Sequence, residues 1–331
     1  MIVSRTPYRI SLFGGGSDYY DWLKYSPGAT LSFSTAYYSH IFLRPLSSVF
    51  GSKYRIRYFK REEVNSVDEI DHPIIRHALM HRIKQGSLSP SSSLDIIHSG
   101  DFPSMTGLGT SSCFTVGLLK ALDQFSGRQS SKYGLSREAI YIEQVLNGET
   151  VGSQDQIAAA FGGINYVDYH SPSEFTVSPM SIDQSWLEVL LSRLYLVYTG
   201  VTRHSAESAR DFVGQLGDRS AQVKALVSLA AKARDVMRGA GPPDDIGQML
   251  HESWQLKRSA YPSSSTDAID ALYDSLRGSG AIGGKLLGAG GGGFILCYVP
   301  ELEKERFMHD TSEKVVLPVS IDWDGCSVKE F

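Results

Sequence analysis

A segment rich in glycine and hydroxyl residues, FPSMTGLGTSSC at residues 102–113, lies directly before an apolar helical pattern. This combination limits the folds that the chain can adopt. Gly107 and Gly109 let the backbone turn sharply and approach a ligand without a Cβ atom in the way. The apolar residues that follow have the spacing of one helix face: Phe114, Leu118, Leu122 and Phe125. The segment therefore predicts a tight loop that leads into the N-terminus of a helix.

This loop is a candidate anion site. The first turn of a helix carries N–H groups without intrahelical partners and the positive end of the helix dipole. Thr110, Ser111 and Ser112 add hydroxyl groups that can contact a phosphate or a magnesium ion, which prefers oxygen ligands. On this segment alone, a plain N-cap behind a glycine hinge remains the simpler interpretation.

Two carboxylates favour the phosphate interpretation. Glu143 lies on a predicted helix over 136–146, and the residues three positions before and after it are apolar. A buried carboxylate needs a partner or a metal, so Glu143 is either a metal ligand or half of a salt bridge. Asp155 lies in a predicted glycine- and polar-rich loop over 147–156, where a surface turn is the plain alternative.

A second glycine cluster, GAGGGG at 288–293, matches the GxGxxG spacing of dinucleotide-binding folds. That fingerprint requires a strand before it and a helix after it. Here the strand pattern FILCYV follows the glycines, so the cluster does not predict a dinucleotide site. The P-loop lysine is also missing from both glycine segments at the required position.

Length and charge restrict the function classes. With 331 residues, the chain fits two domains or one large one. A net charge of -4 and a pI near 6.1 argue against a nucleic-acid binder. No apolar run reaches the roughly 18 residues of a membrane span. The 3 scattered cysteines, without a CxxC pair, indicate a reducing compartment with neither disulfides nor a zinc site, so we expect a cytoplasmic protein.

Strand patterns dominate the first hundred residues, and helical patterns dominate the second half. Predicted strands lie at 8–13, 29–46, 53–59, 94–100 and 194–200. Predicted helices lie at 72–86, 114–125, 136–146, 205–238, 244–258, 266–276 and 301–313. A Ser- and Pro-rich section at 171–183 is the predicted domain boundary. This segregation of strands and helices indicates an α+β fold.

Three separated motifs resemble those of the GHMP kinases, the family named for galactokinase, homoserine kinase, mevalonate kinase and phosphomevalonate kinase. They are RTPYRISLFGGGSD at 5–18, PSMTGLGTSSC at 103–113 and KLLGAGGGGFIL at 285–296. The resemblance implies an N-terminal α+β, ATP-binding domain over 1–180 and a ferredoxin-like C-terminal domain over 181–331. The active site of that fold lies in the cleft between the two domains.

The resemblance also implies roles for individual residues. It assigns the ATP phosphates to one loop: Gly107, Leu108, Gly109, Thr110, Ser111 and Ser112. It assigns Mg²⁺ to Ser111 and Glu143, and it makes Asp155 and Arg9 the catalytic pair. The chain has one more residue between the glutamate and the aspartate than the mevalonate kinases, which leaves a small ambiguity in that alignment.

For the acceptor, the resemblance points to the sugar 1-kinase branch, and most of all to the D-glycero-D-manno-heptose 7-phosphate 1-kinases. Its predicted binding residues are Gly16, Ser17, Asp18, Gly290 and Gly291. Asp18 matches the aspartate that holds sugar hydroxyls in galactokinases. Arg203, beside His204 at the start of a predicted helix, could bind the acceptor's own phosphate. A solvated arginine at an ordinary helix cap explains Arg203 equally well.

Three alternatives remain at this point. They are a mevalonate- or amino-alcohol-type kinase, a fucose- or galactose-type sugar 1-kinase, and a catalytically inactive sugar sensor. Asp18 favours a polyhydroxy acceptor, because a carboxylate accepts hydrogen bonds from hydroxyl groups. An inactive sensor would be expected to lack Asp155 or Glu143, and both are present. We expect a small-molecule sugar or sugar phosphate as partner and neither nucleic acid nor membrane, and a homodimer stays open.

Overall fold

The computed structural model describes residues 1–201, 214 and 219–331. The strands of this part are β1 Ile2–Phe13, β2 Gly28–Pro45, β3 Tyr54–Arg57, β4 Arg61–Val64, β5 Leu94–Gly100, β6 Ile164–Ser171, β7 Glu174–Pro179, β8 Leu194–Tyr198, β9 Gly283–Leu286, β10 Phe294–Tyr298, β11 Val316–Pro318 and β12 Ser327–Glu330. The α-helices are α1 Tyr20–Leu23, α2 Pro73–Lys84, α3 Thr110–Phe125, α4 Lys132–Ile140, α5 Gln154–Phe161, α6 Gln184–Ser192, α7 Ser220–Asp235, α8 Pro243–Ala260, α9 Asp267–Gly278 and α10 Lys304–Asp310.

The first sheet is built around the long strand β2. Its order is β12-β1-β2-β5-β3-β4, while β6 pairs with the first part of β2 and β7 pairs with β6. β1 and β2 are apolar on alternating positions, so their side chains form the centre of the main core. The pairing of β1 with β2 shifts register between Pro7 and Arg9. Such irregularities re-aim side chains, and this one lies where Arg9 enters the site.

Helix α3 packs against β1 and β2 and carries the loop at 102–109 on its N-terminus. Phe114, Leu118 and Leu122 are buried and Phe125 packs against the core, which confirms the predicted helix face. Gly117 lets the helix approach the sheet closely, because a Cβ there would lie 2.7 Å from Thr6 Oγ1. The sheet therefore holds the N-terminus of α3 in one place.

The second sheet has the antiparallel order β11-β8-β10-β9. With its strands numbered by chain position, this is the order 4-1-3-2 of a ferredoxin-like unit. Its core includes Trp254 of α8, Tyr273 of α9 and Phe307 of α10. The GAGGGG cluster forms the connection between the antiparallel strands β9 and β10, so it is a hairpin loop and does not belong to a βαβ unit.

The last strand returns to the first sheet. β12 pairs with β1, from Ile2 opposite Glu330 to Arg5 opposite Ser327. The predicted boundary section at 171–183 contains β7, which pairs with β6 in the first sheet. The division into domains at 1–180 and 181–331 stays a prediction. The structure adds that residues 327–330 belong to the same sheet as β1 and β2.

Two local predictions are wrong. The helix expected from Ser136 begins at Lys132, because Ser131 is the N-cap and its hydroxyl accepts a hydrogen bond from Gly134 N at 3.0 Å. Its C-terminal part, Tyr141–Leu146, is π-helical. Asp155 does not lie in a loop but in the first turn of α5. Among the helices described, none is long and apolar enough to cross a membrane.

Candidate active site

A cleft of about 890 Å³ lies where loops of the two sheets meet. The first sheet contributes the end of β1, the turn at 14–19, the loop at 102–109 and the N-terminus of α3. The segment 147–155 closes one side. The second sheet contributes the last turn of α8 and the glycine loop at 287–292. Residues from all three glycine-rich motifs therefore line one cavity.

Two of these loops touch backbone to backbone. A Cβ on Gly107 would lie 2.6 Å from the carbonyl oxygen of Leu287, and one on Gly288 would lie 2.6 Å from Gly107 Cα. Both glycines have positive φ, +79° and +73°, which other residues adopt only with strain. Only glycine fits this contact, so the loop at 102–109 and the β9–β10 loop form one wall.

The N-terminus of α3 opens into the cleft. Gly109 is the N-cap residue and has no side chain with which to cap the first N–H groups. Thr110, Ser111 and Ser112 line the cleft beside them, as predicted for a phosphate site. Leu108 differs, because its side chain is buried in the core and its carbonyl accepts a hydrogen bond from Arg9 N at 3.0 Å.

Arg9 and Asp155 form a bidentate ion pair. Arg9 Nη2 donates to Asp155 Oδ2 at 2.8 Å, Nε donates to Oδ1, and Nη1 donates to the carbonyl of Gly107 at 2.7 Å. Arg9 is buried, and Asp155 remains partly exposed to the cleft. Burial lowers the pKa of Arg9, but the Asp155 carboxylate outweighs it and leaves the pKa raised. The arginine thus fixes Asp155 beside the loop at 107–109.

Asp18 lies fully buried at the floor of the same cleft. Its two oxygens accept hydrogen bonds from Gly16 N at 2.9 Å and Gln154 N at 3.1 Å. Burial raises the pKa of this carboxyl. Gly152 leaves space for it, since a Cβ there would lie 1.9 Å from Asp18 Oδ2. Asp18 and Asp155 therefore reach one cavity from segments that are far apart in the chain.

Ser17 does not reach the cleft. Its hydroxyl donates to the carbonyl of Gly14 at 2.8 Å and accepts from Ala29 N at 3.1 Å. The side chain is fully buried, so it stabilises the turn that presents Gly16 and Asp18. Of these three predicted acceptor residues, the structure brings Gly16 and Asp18 together and places the Ser17 hydroxyl elsewhere.

Glu143 is fully buried beneath the first turn of α3. Its Oε2 accepts hydrogen bonds from Ser112 Oγ at 2.9 Å and Gln156 Nε2 at 2.7 Å. Within the described residues Oε1 has no hydrogen-bond partner, and the hydroxyl of Thr115, which lies near enough to lower the pKa of Glu143, donates to the carbonyl of Ser111 at 3.2 Å. Burial raises the pKa of Glu143 to about 7. The serine that contacts Glu143 is thus Ser112, whereas Ser111 is exposed at the cleft.

The hydroxyl oxygen of Ser111 and the carboxylate oxygens of Glu143 fit a magnesium site. Mg²⁺ takes hydroxyl and carboxylate oxygens and usually keeps water and substrate phosphates as its other ligands. Glu143 Oε1 is a buried acceptor left without a donor in the part of the chain described, as a metal ligand would be. In those same residues, no group of three His, Cys, Asp or Glu side chains could hold a metal alone. A metal here would depend on the nucleotide.

Gly290 and Gly291 of the third glycine motif make different contacts. Gly290 lines the cleft with φ at +118°, and a Cβ there would lie 2.6 Å from Ser264 Cα. The N–H of Gly291 instead donates to the carbonyl of Ser264 at 3.0 Å. Arg203 and His204, the predicted site for an acceptor phosphate, lie outside the described residues.

Two family models match the chain, and their ranges include the second and third glycine motifs. The GHMP kinases N-terminal domain matches residues 74–163, and the GHMP kinases C-terminal domain matches residues 225–311. In that order they cover more than half of the chain. The chain belongs to the GHMP kinase family. Its members are ATP-dependent kinases, and the predicted family, α+β fold and two-domain architecture are confirmed.

Relatives within the GHMP kinases extend over nearly the whole chain. A D-glycero-alpha-D-manno-heptose 7-phosphate kinase of Campylobacter jejuni is 29% identical over 311 residues, which are 92% of this chain and 91% of that protein. A bifunctional fucokinase/GDP-fucose pyrophosphorylase of Arabidopsis thaliana is 25% identical over 93% of this chain, but over 31% of its own length. The structure of a D-glycero-D-manno-heptose 1-phosphate kinase from Bacteroides thetaiotaomicron shares the fold, with a TM-score of 0.83 at 24% identity over 100% of this chain and 99% of that one.

Sequence reasoning missed two lysines of this GHMP kinase site. Lys285 and Lys257 both line the cleft, and their ammonium groups donate to the carbonyls of Leu12 at 3.0 Å and Gly288 at 2.6 Å. Lys285 could have been found, because it opens the third glycine motif. Lys257 gives no such signal, since a lysine in the last turn of a helix is usual for the helix dipole.

An aromatic wall was also missed. His72 stacks on Phe114 with ring centroids 4.8 Å apart, and Tyr58 meets His72 edge-on with ring centroids 4.8 Å apart. His98 and the exposed Phe59 complete this part of the cleft. Burial lowers the pKa of His72, and it lowers that of His98 to about 4, so burial favours the neutral form of both rings. These residues come from separate elements, so no local pattern joins them.

Proposed function

We propose that this GHMP kinase transfers the γ-phosphoryl group of ATP to the anomeric hydroxyl of a sugar, with D-glycero-D-manno-heptose 7-phosphate as the acceptor and the 1,7-bisphosphate as product. The observation that carries this proposal is the placement of Asp18 and Asp155 in one cleft with the N-terminus of α3. Asp18 would accept hydrogen bonds from the hydroxyls of the sugar. Asp155 would lie beside the sugar oxygen that reacts, and the N-terminus of α3 would bind the phosphates of ATP.

The nucleotide half of the cleft supports ATP binding. The neutral aromatic wall around His72 suits a planar purine base, which stacks on aromatic rings. The phosphates would then lie on residues 107–112, whose glycines and free N–H groups favour anions. Ser111 and Glu143 would hold Mg²⁺, with Ser112 orienting Glu143. When bound, the ion would neutralise charge on the phosphate oxygens.

The transfer itself needs little covalent chemistry from the protein. The acceptor hydroxyl oxygen forms a bond to the γ-phosphorus, the bond to the β,γ-bridging oxygen breaks, and ADP leaves. Asp155 accepts the hydrogen bond of the attacking hydroxyl and takes its proton. Each carboxylate oxygen keeps a lone pair for this although both are bound by Arg9. Arg9 holds Asp155 in position and adds positive charge near the transferred group.

The identity of the acceptor rests on the heptose phosphate kinase of C. jejuni and on the sequence resemblance. A fucose- or galactose-type acceptor is the second candidate, since the fucokinase relative also matches 93% of this chain. Asp18 would serve either sugar. Arg203 remains a sequence-based candidate for the phosphate at the far end of the heptose.

The decisive experiment is a panel of sugars and sugar phosphates, incubated with ATP and Mg²⁺ and followed by phosphorus NMR of the products. We expect a new phosphate at the anomeric carbon of the heptose 7-phosphate, and slower reaction with fucose and galactose. Phosphorylation of mevalonate or an amino alcohol alone would reject the sugar assignment. Binding of sugars without any transfer would instead favour an inactive sugar sensor.

The magnesium assignment makes its own prediction. Glu143→Gln and Ser111→Ala should each raise the Mg²⁺ concentration needed for half-maximal activity, because each removes an oxygen ligand or its charge. Ser112→Ala should raise it by about 10-fold, the lower end for a group that orients a metal ligand. Magnesium titrations at saturating ATP measure all three. Ser126→Ala, at the other end of α3, is the matched control, and an unchanged Mg²⁺ dependence in all three variants would reject the pairing.

A further inference from the structure

Lys257 projects from the last turn of α8 to the point where the two glycine loops touch. Its Nζ donates to the carbonyl of Gly288 at 2.6 Å. Gly288 packs directly on Gly107, and the carbonyl of Gly107 accepts a hydrogen bond from Arg9 at 2.7 Å. Lys257 and Arg9 therefore hold the two glycines of one contact, although Arg9 comes from strand β1 and Lys257 from helix α8.

Lys257 has no counter-charge in the part of the chain that the structure describes. No described carboxylate lies within 4.0 Å of it or of Lys285, whereas Arg9 is paired with Asp155. The charged groups that face Lys257 are Arg9 and Lys285, and both repel it. Burial, with the charge of Arg9, lowers the pKa of Lys257 to about 8. Its Nζ also lies 5.9 Å from the ring centroid of Trp254, but neither this ring nor the carbonyl of Gly288 carries a net negative charge. A cation without a counter-charge in such surroundings costs stability, and an arriving anion would relieve that cost.

The ammonium group also has spare donors. Lysine carries three N–H donors, and the carbonyl of Gly288 is the acceptor that Lys257 contacts among the described residues. Asp155 lies beside the loop at 107–112, since a Cβ on Gly109 would be 3.1 Å from Asp155 Oδ2, and Arg9 joins Asp155 to the carbonyl of Gly107. A phosphoryl group held between this loop and Asp155 would therefore lie close to the Gly107–Gly288 contact, where Lys257 is bound.

We propose that Lys257 is a catalytic residue of this kinase, which contacts an oxygen of the γ-phosphoryl group and stabilises its charge during transfer; this rests on the proposed function. Arg9 and Lys257 then bind the transferred group from the two sides of the Gly107–Gly288 contact, Arg9 from the first sheet and Lys257 from helix α8. If Lys257 instead bound a phosphate on the acceptor, that phosphate would occupy the Gly107–Gly288 contact, and removal of Lys257 would raise the KM for the acceptor rather than lower kcat.

The test is Lys257→Met, with Lys257→Arg as the conservative variant and Arg258→Met as the matched control. Arg258 is the next residue of the same helix and pairs with Asp270 at 3.3 Å. We expect Lys257→Met to lower kcat by about 10²-fold, the loss typical for one contact to developing charge. The KM values for ATP and for the acceptor should change by less than about 3-fold, because the contact is made in the transition state. Lys257→Arg should recover part of kcat, and Arg258→Met should leave it unchanged.

Two further measurements separate catalysis from structure. The wild-type kcat/KM should fall as the pH rises above about 8, where Lys257 loses its proton, and Lys257→Arg should keep its activity to higher pH because arginine stays charged. Lys257→Met should melt at the wild-type temperature or above it, since it removes a cation that has no counter-charge and keeps an apolar side chain against Trp254. A lower melting temperature with unchanged kcat would show that Lys257 only supports Gly288, and would overturn the proposal.

The remaining outcomes are equally distinct. A rise in KM for a phosphorylated acceptor alone, or for ATP alone, would overturn the proposal by making Lys257 a ground-state ligand. If the wild type phosphorylates no acceptor of the panel, the proposed function fails, but the slow hydrolysis of ATP by water still tests Lys257. A 10²-fold lower hydrolysis rate in Lys257→Met would support the catalytic contact independently of the acceptor, and an unchanged rate would reject it.

Discussion

Asp155→Asn should lower kcat by about 10²–10⁴-fold, the range for loss of a positioned acid–base group. The asparagine has the size of the aspartate, so the cleft keeps its shape while the carboxylate that faces the acceptor is lost. Arg9 would still donate to Gly107, and the loop at 107–112 would keep its N–H groups. ATP binding, measured by calorimetry, should therefore remain close to that of the wild type.

The control for this variant is Asp21→Asn. Asp21 is an exposed carboxylate three residues from Asp18 and pairs with Lys24 at 2.7 Å, so its loss removes the same charge near the site without touching the cleft. We expect wild-type turnover for it. If Asp155→Asn also turned over at the wild-type rate, Asp155 would be a structural partner of Arg9, and the proposed chemistry would be wrong.

The parts of this site that the sequence predicts are those with local causes. Gly107 and Gly109 have positive φ, and the loop around them can be recognised because few residues other than glycine tolerate that backbone. The helix behind it was predicted from apolar spacing alone, since burial of one face produces that spacing. The rejection of a dinucleotide site was also local, as it depended on the strand that directly follows the glycines.

Contacts between distant segments could not be predicted in this way. Arg9 and Asp155 are 146 residues apart, and only the family resemblance placed them together. The choice between Ser111 and Ser112 as the partner of Glu143 depends on how α3 is rotated against its neighbours. Two adjacent serines point about 100° apart on a helix, so their order along the chain does not decide which faces the carboxylate.

The start of α5, which was predicted as a loop, does have a local signal in the sequence. Ser153, Gln154 and Asp155 have the composition of a helix start, with a serine at the N-cap position and an acidic residue in the first turn. The glycines at 148 and 152 suggested a longer loop instead. Gly152 instead leaves space for the carboxylate of Asp18, a contact between distant segments that only the structure shows.

Gly107→Ala should reduce kcat/KM by about 100-fold, because a displacement of about 1 Å at a reacting group can cost that much. The new methyl group would lie 2.6 Å from the carbonyl oxygen of Leu287, which is backbone and cannot rotate away. The loop and the β9–β10 hairpin must therefore separate, and that moves the phosphate site away from Asp155. The φ of +79° adds strain of about 1–2 kcal/mol to this clash.

Gly127→Ala separates the effect of the steric clash from the effect of backbone strain. Gly127 follows the C-terminus of the same helix and has a φ of +69°, but a Cβ there would meet no atom within 4 Å. That variant should lose about 1 kcal/mol of unfolding free energy from backbone strain and keep its full kcat/KM. Denaturant unfolding and steady-state kinetics on both variants make the comparison. Equal stability losses with equal activities would mean that the contact between Gly107 and Gly288 does not position the phosphates, whereas a loss of activity confined to Gly107→Ala would show that the two glycine loops must touch for the kinase to work.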